Sequence, residues 1–190
     1  EKFIMVDYFY WKNFFSKEQI QHLNIFCKDN KEKQFRDHPA SSHTHNKTLK
    51  KVSNVHAVQW KNIKHKFTDL INEIKITNLE NYGYNILDSL DTDHVLFNTY
   101  YKNDFYDWHK ENSNNPYHDI KFTIVINNSL EEYKGGELQI FSFGGETNVN
   151  EFNSTGSAIM FKSDTIHRVL PIQNGTRNSI VLLIKGNKFI

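Results

Sequence analysis

The first helical pattern in the chain follows a polar start signal. Ser16-Lys-Glu-Gln19 has the form of a capping box, in which the first and last side chains bond to each other's backbone N–H groups. The apolar residues that follow lie on one helical face: Ile20, Leu23 and Cys27. The pattern therefore predicts an amphipathic helix that begins next to Ser16.

A second amphipathic stripe predicts a helix from about Trp60 to Thr77. Its apolar residues recur at i, i+4, i+7, i+8 and i+11, which keeps them on one face. They are Ile63, Phe67, Leu70, Ile71 and Ile74. Residues 36–48, between the two helices, are polar and contain a proline, so they are predicted to form a loop.

From His94 onward the pattern changes to short apolar runs separated by turn residues. The runs predict strands at 94–101, 120–127, 137–143, 157–162, 167–172 and 178–185. Turns are predicted at Gly135-Gly136, where positive φ is needed, at Gly144-Gly145 and at Asn174-Gly175. Helices followed by many short strands predict a mainly β fold with supporting N-terminal helices, arranged as a double-stranded β-helix, or jelly roll.

Length and composition narrow the class of protein. A chain of 190 residues fits one domain, with helical support and leading strands over 1–93 and a jelly-roll core over 94–190. Its 23 basic and 22 acidic residues create no global field, so neither nucleic acid nor a membrane is expected as a partner. A single cysteine, Cys27, excludes an intramolecular disulfide. With no signal peptide visible in the first residues, a cytoplasmic location is expected.

Strand parity singles out two polar residues in the last apolar run. Side chains alternate between the faces of a strand, so Arg177 and Ser179 point the same way, as do His167 and Val169. A buried guanidinium needs a partner. A dicarboxylate ligand would satisfy it bidentately, and an internal Asp or Glu could do the same. Both alternatives remain open at this point.

Two histidines and a carboxylate form a candidate metal site. His109-Lys-Glu111 is followed at a distance by His167, and two imidazoles with one carboxylate are the ligand set of non-haem Fe(II) oxygenases. A His-x-Glu triplet is common by chance. The alternative interpretation is a surface histidine beside a solvated Glu, which is the more usual environment of both residue types. The sequence context decides between these interpretations.

That context resembles a known family. From Asp119 the chain reads DIKFTIVINNSLEEYKGGELQI, and from Gly156 it reads GSAIMFKSDTIHRVLPIQNGTR. Together with Phe97-Asn-Thr-Tyr100, these segments resemble the Fe(II)/2-oxoglutarate oxygenases of the prolyl 4-hydroxylase type, most closely their bacterial branch, the PKHD-type hydroxylases. The resemblance covers about residues 95–185 and extends weakly to YFYWKNFFSKEQIQHL near the start. The order and spacing of the segments make it specific.

The resemblance implies a function and a set of site residues. Fe(II) would be held by His109, Glu111 and His167, with Glu111 where most of the family has Asp. The co-substrate 2-oxoglutarate would be bound by Arg177, Ser179 and Tyr100. O₂ would be the second co-substrate, ascorbate would also bind, and no catalytic residue beyond the metal ligands is implied. The expected enzyme is a dioxygenase that hydroxylates a substrate with release of succinate and CO₂.

The substrate expected from the resemblance is a prolyl or other side chain in a peptide or protein, or else a small molecule. Many prolyl hydroxylases carry an arginine on the strand after the first histidine, where this chain has Asp119 and Lys121. Two rival functions are a catalytically silent jelly-roll binding module and a cupin-like metalloenzyme. A cupin would have a His-x-His pair in place of His109-Lys-Glu111. The oligomeric state is left open.

Several residues allow two interpretations. Tyr101 could replace Tyr100 in the site if a strand bulge shifted the register. His43-x-His45 could bind a metal but is predicted to be solvated. Trp11 and Trp108 could line a substrate mouth or simply pack.

Overall fold

The computed structural model describes residues 7–30, 40–43, 49–91, 93–111, 113, 115–142 and 144–188. The helices are α1 (Lys17–Asn30), α2 (Trp60–Ile63) and α3 (Thr68–Asn81), with 3₁₀ turns at Lys64–Phe67 and Asn150–Asn153. The strands are β1 (Phe9–Trp11), β2 (Ala40–His43), β3 (Leu49–Gln59), β4 (Ile86–Leu90), β5 (His94–Tyr100), β6 (Phe105–His109), β7 (His118–Asn127), β8 (Lys134–Gly135), β9 (Leu138–Ser142), β10 (Gly145–Asn148), β11 (Ala158–Lys162), β12 (His167–Val169), β13 (Ile172–Asn174) and β14 (Arg177–Asn187). Among the described helices, none has the length and apolar character to span a bilayer.

Helix α1 begins as the capping box predicts. The Ser16 N–H donates to Gln19 Oε1 at 2.8 Å, and the Gln19 N–H donates to Ser16 Oγ at 3.1 Å. These two bonds satisfy backbone donors that have no partner inside the helix. The buried face of α1 consists of Ile20, Leu23 and Cys27. Both the start of the helix and its buried face are confirmed.

The second predicted helix is divided into three segments. Helix α2 is followed by a 3₁₀ turn and then by α3, which ends at Asn81 rather than at Thr77. The Thr68 hydroxyl donates to the His65 carbonyl at 3.2 Å at the start of α3. The predicted stripe is still buried at Ile63, Phe67, Leu70 and Ile74, and Ile71 packs at its edge.

The strands form two antiparallel layers joined by β3. One layer has the order β1-β11-β7-β14-β5-β3, and the other continues β3-β6-β12-β9-β10. Residues 54–59 of β3 pair with β5, whereas residues 51 and 52 pair with β6. A single long strand therefore belongs to both layers, and the predicted jelly roll is confirmed.

The two faces of the first layer are buried against different partners. On β7, Phe122, Ile124 and Ile126 lie in one core cluster with the helices, and Val125 lies in a second cluster between the layers. This alternation follows from the period of two along a strand. The space between the layers holds the candidate site.

The predicted loop at 36–48 is wrong in its middle. Residues 40–43 form β2, which pairs antiparallel with β3 through Ala40↔Ser53 and Ser41↔Val52. Pairing with a neighbouring strand is a tertiary effect that a polar sequence does not reveal. The remainder of the segment, 36–39 and 44–48, lies outside the described residues.

Two other strand assignments differ from the prediction. The run 167–172 is divided into β12 and β13, because Pro171 has no N–H to continue a ladder. Strand β6 was not predicted, although it carries His109, since its sequence FYDWH lacks a clear alternation. Both predicted glycines at 135 and 136 adopt positive φ, +74° and +71°.

Candidate functional site

The two histidines and Glu111 converge on one point between the layers. His109 at the end of β6 is the register partner of His167 on β12. Glu111 Oε1 lies 3.6 Å from His109 Nε2 and 4.0 Å from His167 Nε2, and the candidate ligand atoms all lie within 4.8 Å of one another. Ligand atoms about 2.0–2.2 Å from a shared ion are separated by no more than roughly 4.4 Å. The arrangement fits a single metal ion after a small contraction.

Backbone carbonyls orient both imidazole rings. His109 Nδ1 lies 2.7 Å from the carbonyl oxygen of Asp107, and His167 Nδ1 lies 2.9 Å from that of Thr165. A carbonyl only accepts, so each Nδ1 carries the proton and donates it. Each Nε2 therefore presents a lone pair to the site, which is the orientation that a metal ligand requires.

Glu111 reaches the site although β6 has already ended at His109. Its backbone N–H donates to the Ser163 carbonyl at 3.0 Å, and its side chain is 24% exposed. The adjacent segment is tied down as well, since the Ser163 hydroxyl donates to the Ile120 carbonyl. Glu111 is thus positioned by a backbone hydrogen bond to Ser163, and not by a continuation of β6.

Burial keeps the second histidine neutral. His167 is 4% exposed, and its burial, followed by the proximity of His109, lowers its pKa to about 4. At neutral pH the ring is therefore uncharged. A neutral imidazole is the form that coordinates a metal.

Arg177 is the largest of the fully buried side chains in the described part of the chain, with 1% exposure. Nη1 donates to Ser179 Oγ at 3.2 Å, and the guanidinium lies 5.2 Å from the Tyr100 ring centroid and 5.0 Å from that of Phe152. Nε has no hydrogen-bond partner, and none of the ion pairs among the described residues includes Arg177. Of the two alternatives left open by the sequence, an internal carboxylate is not found beside Arg177 among the Asp and Glu residues that the structure describes.

A glycine packs closely against Ile172 and the aliphatic part of the Arg177 side chain. A Cβ on Gly136 would lie 2.3 Å from Ile172 Cδ1 and 3.0 Å from Arg177 Cδ, and the residue has a φ of +71°. Steric space and backbone conformation both favour glycine there. Gly136, predicted only as a turn residue, also shapes the buried end of the site.

Tyr100 lies beside Arg177 as its register partner on β5. It is 3% exposed, whereas the alternative Tyr101 is 51% exposed. Burial raises the pKa of Tyr100 to about 12, so the phenol keeps its proton and can donate. Of the two tyrosines, Tyr100 is therefore the one that lines the cavity.

One cavity of about 220 Å³ contains all six predicted site residues. They are His109, Glu111, His167, Arg177, Ser179 and Tyr100. The two histidines and Glu111 come from one layer and its loop, and the other three from β5 and β14 of the facing layer. Sequence reasoning therefore identified residues that the fold brings together.

Sequence reasoning missed three polar residues that line the same cavity. Asn98 precedes Tyr100 by two positions on β5, and Thr123 lies on β7. Tyr106 stacks on the His109 ring with a centroid distance of 3.4 Å and an interplanar angle of 11°. Strand parity relative to Tyr100 could have identified Asn98, but no local signal identifies the other two.

The remaining candidates lie away from the cavity. Arg168 covers the Trp108 ring at 4.3 Å, and Trp11 packs against the helical core cluster; neither tryptophan lines this cavity. Lys121 lies over the Tyr84 ring at 5.4 Å. The pair His43-x-His45 falls on residues whose side chains are not described.

Comparisons with known proteins agree with this geometry. Residues 95–185 match the sequence model of the 2OG-Fe(II) oxygenase superfamily. A PKHD-type hydroxylase of Idiomarina loihiensis is 32% identical over 89 residues, 46% of this chain and 39% of that protein. Another PKHD-type hydroxylase, of Acaryochloris marina, is 36% identical over 86 residues, 44% of this chain and 37% of that protein. The chain thus matches about two fifths of the length of these curated relatives.

Solved structures share the fold over almost the whole chain. A prolyl 4-hydroxylase of Pseudomonas putida has a TM-score of 0.67 at 15% identity, covering 96% of this chain and 92% of that chain. A viral collagen prolyl hydroxylase of Paramecium bursaria Chlorella virus-1 in its 2OG complex has a TM-score of 0.68 at 15% identity, with 96% and 97% covered. A prolyl hydroxylase of Trichoplax adhaerens, in complex with a hypoxia inducible factor peptide fragment, has a TM-score of 0.66 at 13% identity, with 95% and 84% covered. Residues 95–185 are therefore similar in sequence to the 2OG-Fe(II) oxygenase superfamily, and the chain shares its fold with the prolyl 4-hydroxylases of known structure.

Proposed function

We propose that the protein is an Fe(II)- and 2-oxoglutarate-dependent dioxygenase that hydroxylates a substrate. The observation that carries the proposal is one cavity with a His-Glu-His cluster and a buried arginine that lacks a carboxylate partner among the described residues. The balanced reaction converts 2-oxoglutarate, O₂ and a substrate C–H group into succinate, CO₂ and a hydroxylated product. Fe(II) would supply the chemistry that activates O₂.

The metal would be held by His109, Glu111 and His167. Two neutral nitrogen donors and one carboxylate suit Fe(II) and leave other coordination positions open. The carbonyls of Asp107 and Thr165 would fix both rings during turnover. Glu111 in place of the usual Asp is longer by one methylene, and its tether to Ser163 supports the reach to the metal.

The co-substrate would be held by Arg177, Ser179 and Tyr100. Arg177 would bind the distal carboxylate of 2-oxoglutarate through its planar fork, Ser179 would add a hydroxyl contact, and the protonated Tyr100 would donate a third hydrogen bond. Burial of these groups excludes water, which strengthens each interaction. The protein's share of the reaction is thus to bind, orient and desolvate.

For the substrate we propose a prolyl or other side chain in a peptide or protein. The Trichoplax adhaerens neighbour is a prolyl hydroxylase in complex with a peptide fragment, and this supports a peptide by analogy of fold alone. Lys121 contacts Tyr84 and does not line the cavity, so it does not replace the arginine of many prolyl hydroxylases. The proposal that the hydroxylated residue is proline therefore rests on the analogy of fold, and not on a residue of the cavity.

Two other parts of the proposal, ascorbate binding and a single domain over 1–190, do not depend on the geometry of the cavity. Ascorbate binding follows from the family resemblance alone. A single domain over 1–190 is supported by β3, which lies between β5 and β6 and so carries the first part of the chain into the middle of the sheet. These parts can fail without affecting the assignment of the metal site.

Anaerobic titration with Fe(II) and then 2-oxoglutarate tests the proposal. Chelation of Fe(II) by the keto acid should produce a weak visible charge-transfer band that neither component gives with the protein alone. Succinate in place of 2-oxoglutarate is the control, because it lacks the keto group. Absence of the band at saturating concentrations would favour a catalytically silent jelly roll.

A further inference from the structure

A buried hydroxyl in the same cavity has no role in the scheme above. Thr123 is 1% exposed, and its Oγ1 has no hydrogen-bond partner among the described residues. Burial of an unsatisfied polar group is unfavourable, because the group loses its hydrogen bonds to water. The position is built for a polar partner that the rest of the described chain does not provide.

The side chain of Thr123 points into the cavity. Thr123 and Val125 alternate along β7 with Phe122 and Ile124, which belong to the core cluster on the helical side. Both Thr123 and Val125 line the cavity between the layers. The hydroxyl is therefore directed toward the ligand space and away from the helices.

Strand register locates Thr123 along that cavity. Arg177 pairs with Tyr100 at one end, and six residues further along β14 Leu183 pairs with Thr123. On the other side of β7, Thr123 pairs with Phe161, whose ring centroid lies 4.7 Å from that of His167. Thr123 thus lies at the metal end of the cavity.

The chemistry at this end calls for a hydrogen-bond donor. When a keto acid chelates a metal through its keto oxygen and one carboxylate oxygen, the second carboxylate oxygen remains free to accept. The strand neighbours of Thr123, Leu183 and Phe161, are apolar, as is Val125 two residues along β7. A hydroxyl among apolar side chains is well placed to satisfy that oxygen.

We infer that the Thr123 hydroxyl donates a hydrogen bond to the keto-acid carboxylate of 2-oxoglutarate. The inference rests on the proposed function and deepens it, because it adds a contact at the metal end to those of Arg177, Ser179 and Tyr100. Thr123 is then a co-substrate-binding residue. It contacts the end of the molecule that reacts, whereas Arg177 contacts the end that does not.

The test compares Thr123→Val with Thr99→Val as the matched control. Valine keeps the shape of threonine and removes the hydroxyl. Thr99 lies on β5, and its hydroxyl is already bonded to Asn178 Oδ1 at 2.9 Å, outside this cavity. Both variants are measured by anaerobic charge-transfer titration with 2-oxoglutarate, by Mn(II) binding, and by thermal melting without ligand.

The two variants should change different properties, because Thr123→Val weakens co-substrate binding and Thr99→Val lowers stability. Thr123→Val should raise the Kd for 2-oxoglutarate about ten- to a hundredfold, the equivalent of one hydrogen bond to a charged group. Its Mn(II) affinity and its melting temperature without ligand should be unchanged or higher, because an unpaired hydroxyl is removed. Thr99→Val should melt earlier with an unchanged Kd, and Thr123→Ser should restore the Kd to within about twofold of the parent value.

Three outcomes would overturn the inference. An unchanged Kd in Thr123→Val shows that the hydroxyl does not contact the co-substrate. A marked fall in its melting temperature without ligand shows that the protein itself uses the hydroxyl. If the parent protein gives no charge-transfer band, the proposed function fails first and the inference fails with it, so the two failures are distinguishable.

Discussion

The two ends of the cavity differ in how their polar groups are satisfied. At the metal end, the Nδ1 atoms of His109 and His167 are both bonded to backbone carbonyls two residues earlier in the chain. At the other end, Arg177 is just as deeply buried, yet its Nε has no partner among the described residues and its Nη1 donates only to the Ser179 hydroxyl there. The two imidazole rings are thus oriented by the protein itself, whereas the guanidinium requires a ligand.

This difference has a thermodynamic consequence. Rings held by local backbone bonds are oriented before any metal arrives, so little ordering remains to be done on binding. An unpaired buried guanidinium is unfavourable in the free protein, and a carboxylate that pairs with it relieves that cost. Co-substrate binding should therefore depend more steeply on Arg177 than metal binding does.

The largest effect is expected from loss of a metal ligand. His109→Ala or His167→Ala should abolish 2-oxoglutarate turnover, because two ligands cannot hold the metal in productive geometry. Circular dichroism should show the fold retained. His22→Ala, an exposed histidine on α1, is the control. Succinate release by either site variant near the parent rate would remove the metal assignment.

The next effect separates the two ends of the cavity. Arg177→Ala should raise the KM for 2-oxoglutarate at least tenfold, in line with about 2–5 kcal/mol for an unpaired buried charge. Arg177→Lys keeps the charge without the bidentate fork, so its KM for 2-oxoglutarate should lie between those of the parent protein and of Arg177→Ala. Metal affinity should be little changed in both variants. Lys185→Ala on the same strand is the control, and an unaltered KM in Arg177→Ala would contradict the assignment.

Ligand-induced stabilisation tests both ends at once. Mn(II) with the inert analogue N-oxalylglycine should stabilise the native state by about 2.7 kcal/mol at a hundredfold excess over Kd. Succinate should stabilise less, because it lacks the keto group that chelates the metal. Thermal melting of the parent protein and of Arg177→Ala measures this. Equal stabilisation by both ligands would mean that only the arginine end binds them.

The smallest effect is expected at Tyr100. Tyr100→Phe removes one hydrogen bond of about 1 kcal/mol, which corresponds to roughly a fivefold rise in the KM for 2-oxoglutarate. The ring remains to cover the guanidinium, so melting should change little. Tyr101→Phe is the matched control on an exposed neighbour. A larger effect in Tyr101→Phe would show that the register had been misassigned.

Local patterns predicted part of this molecule well. The capping box and the period of Ile20, Leu23 and Cys27 gave α1, because a helix depends on contacts within a few residues. Parity correctly put Arg177 and Ser179 on one face, since side-chain direction alternates along any strand. Strands β2, β3 and β6 were not predicted, because their pairing depends on neighbours distant in sequence.

By itself, the sequence determined the ligand types, their order and the presence of an arginine at a fixed distance from the second histidine. Only the tertiary structure decided that His109 and His167 face each other across two strands and that Glu111 reaches them from beyond the end of β6. Only the tertiary structure revealed that Arg177 has no acidic partner among the described residues and that the hydroxyl of Thr123 is buried without a partner. The reason is physical, because burial and hydrogen-bond partners are set by segments that meet only when the sheets close.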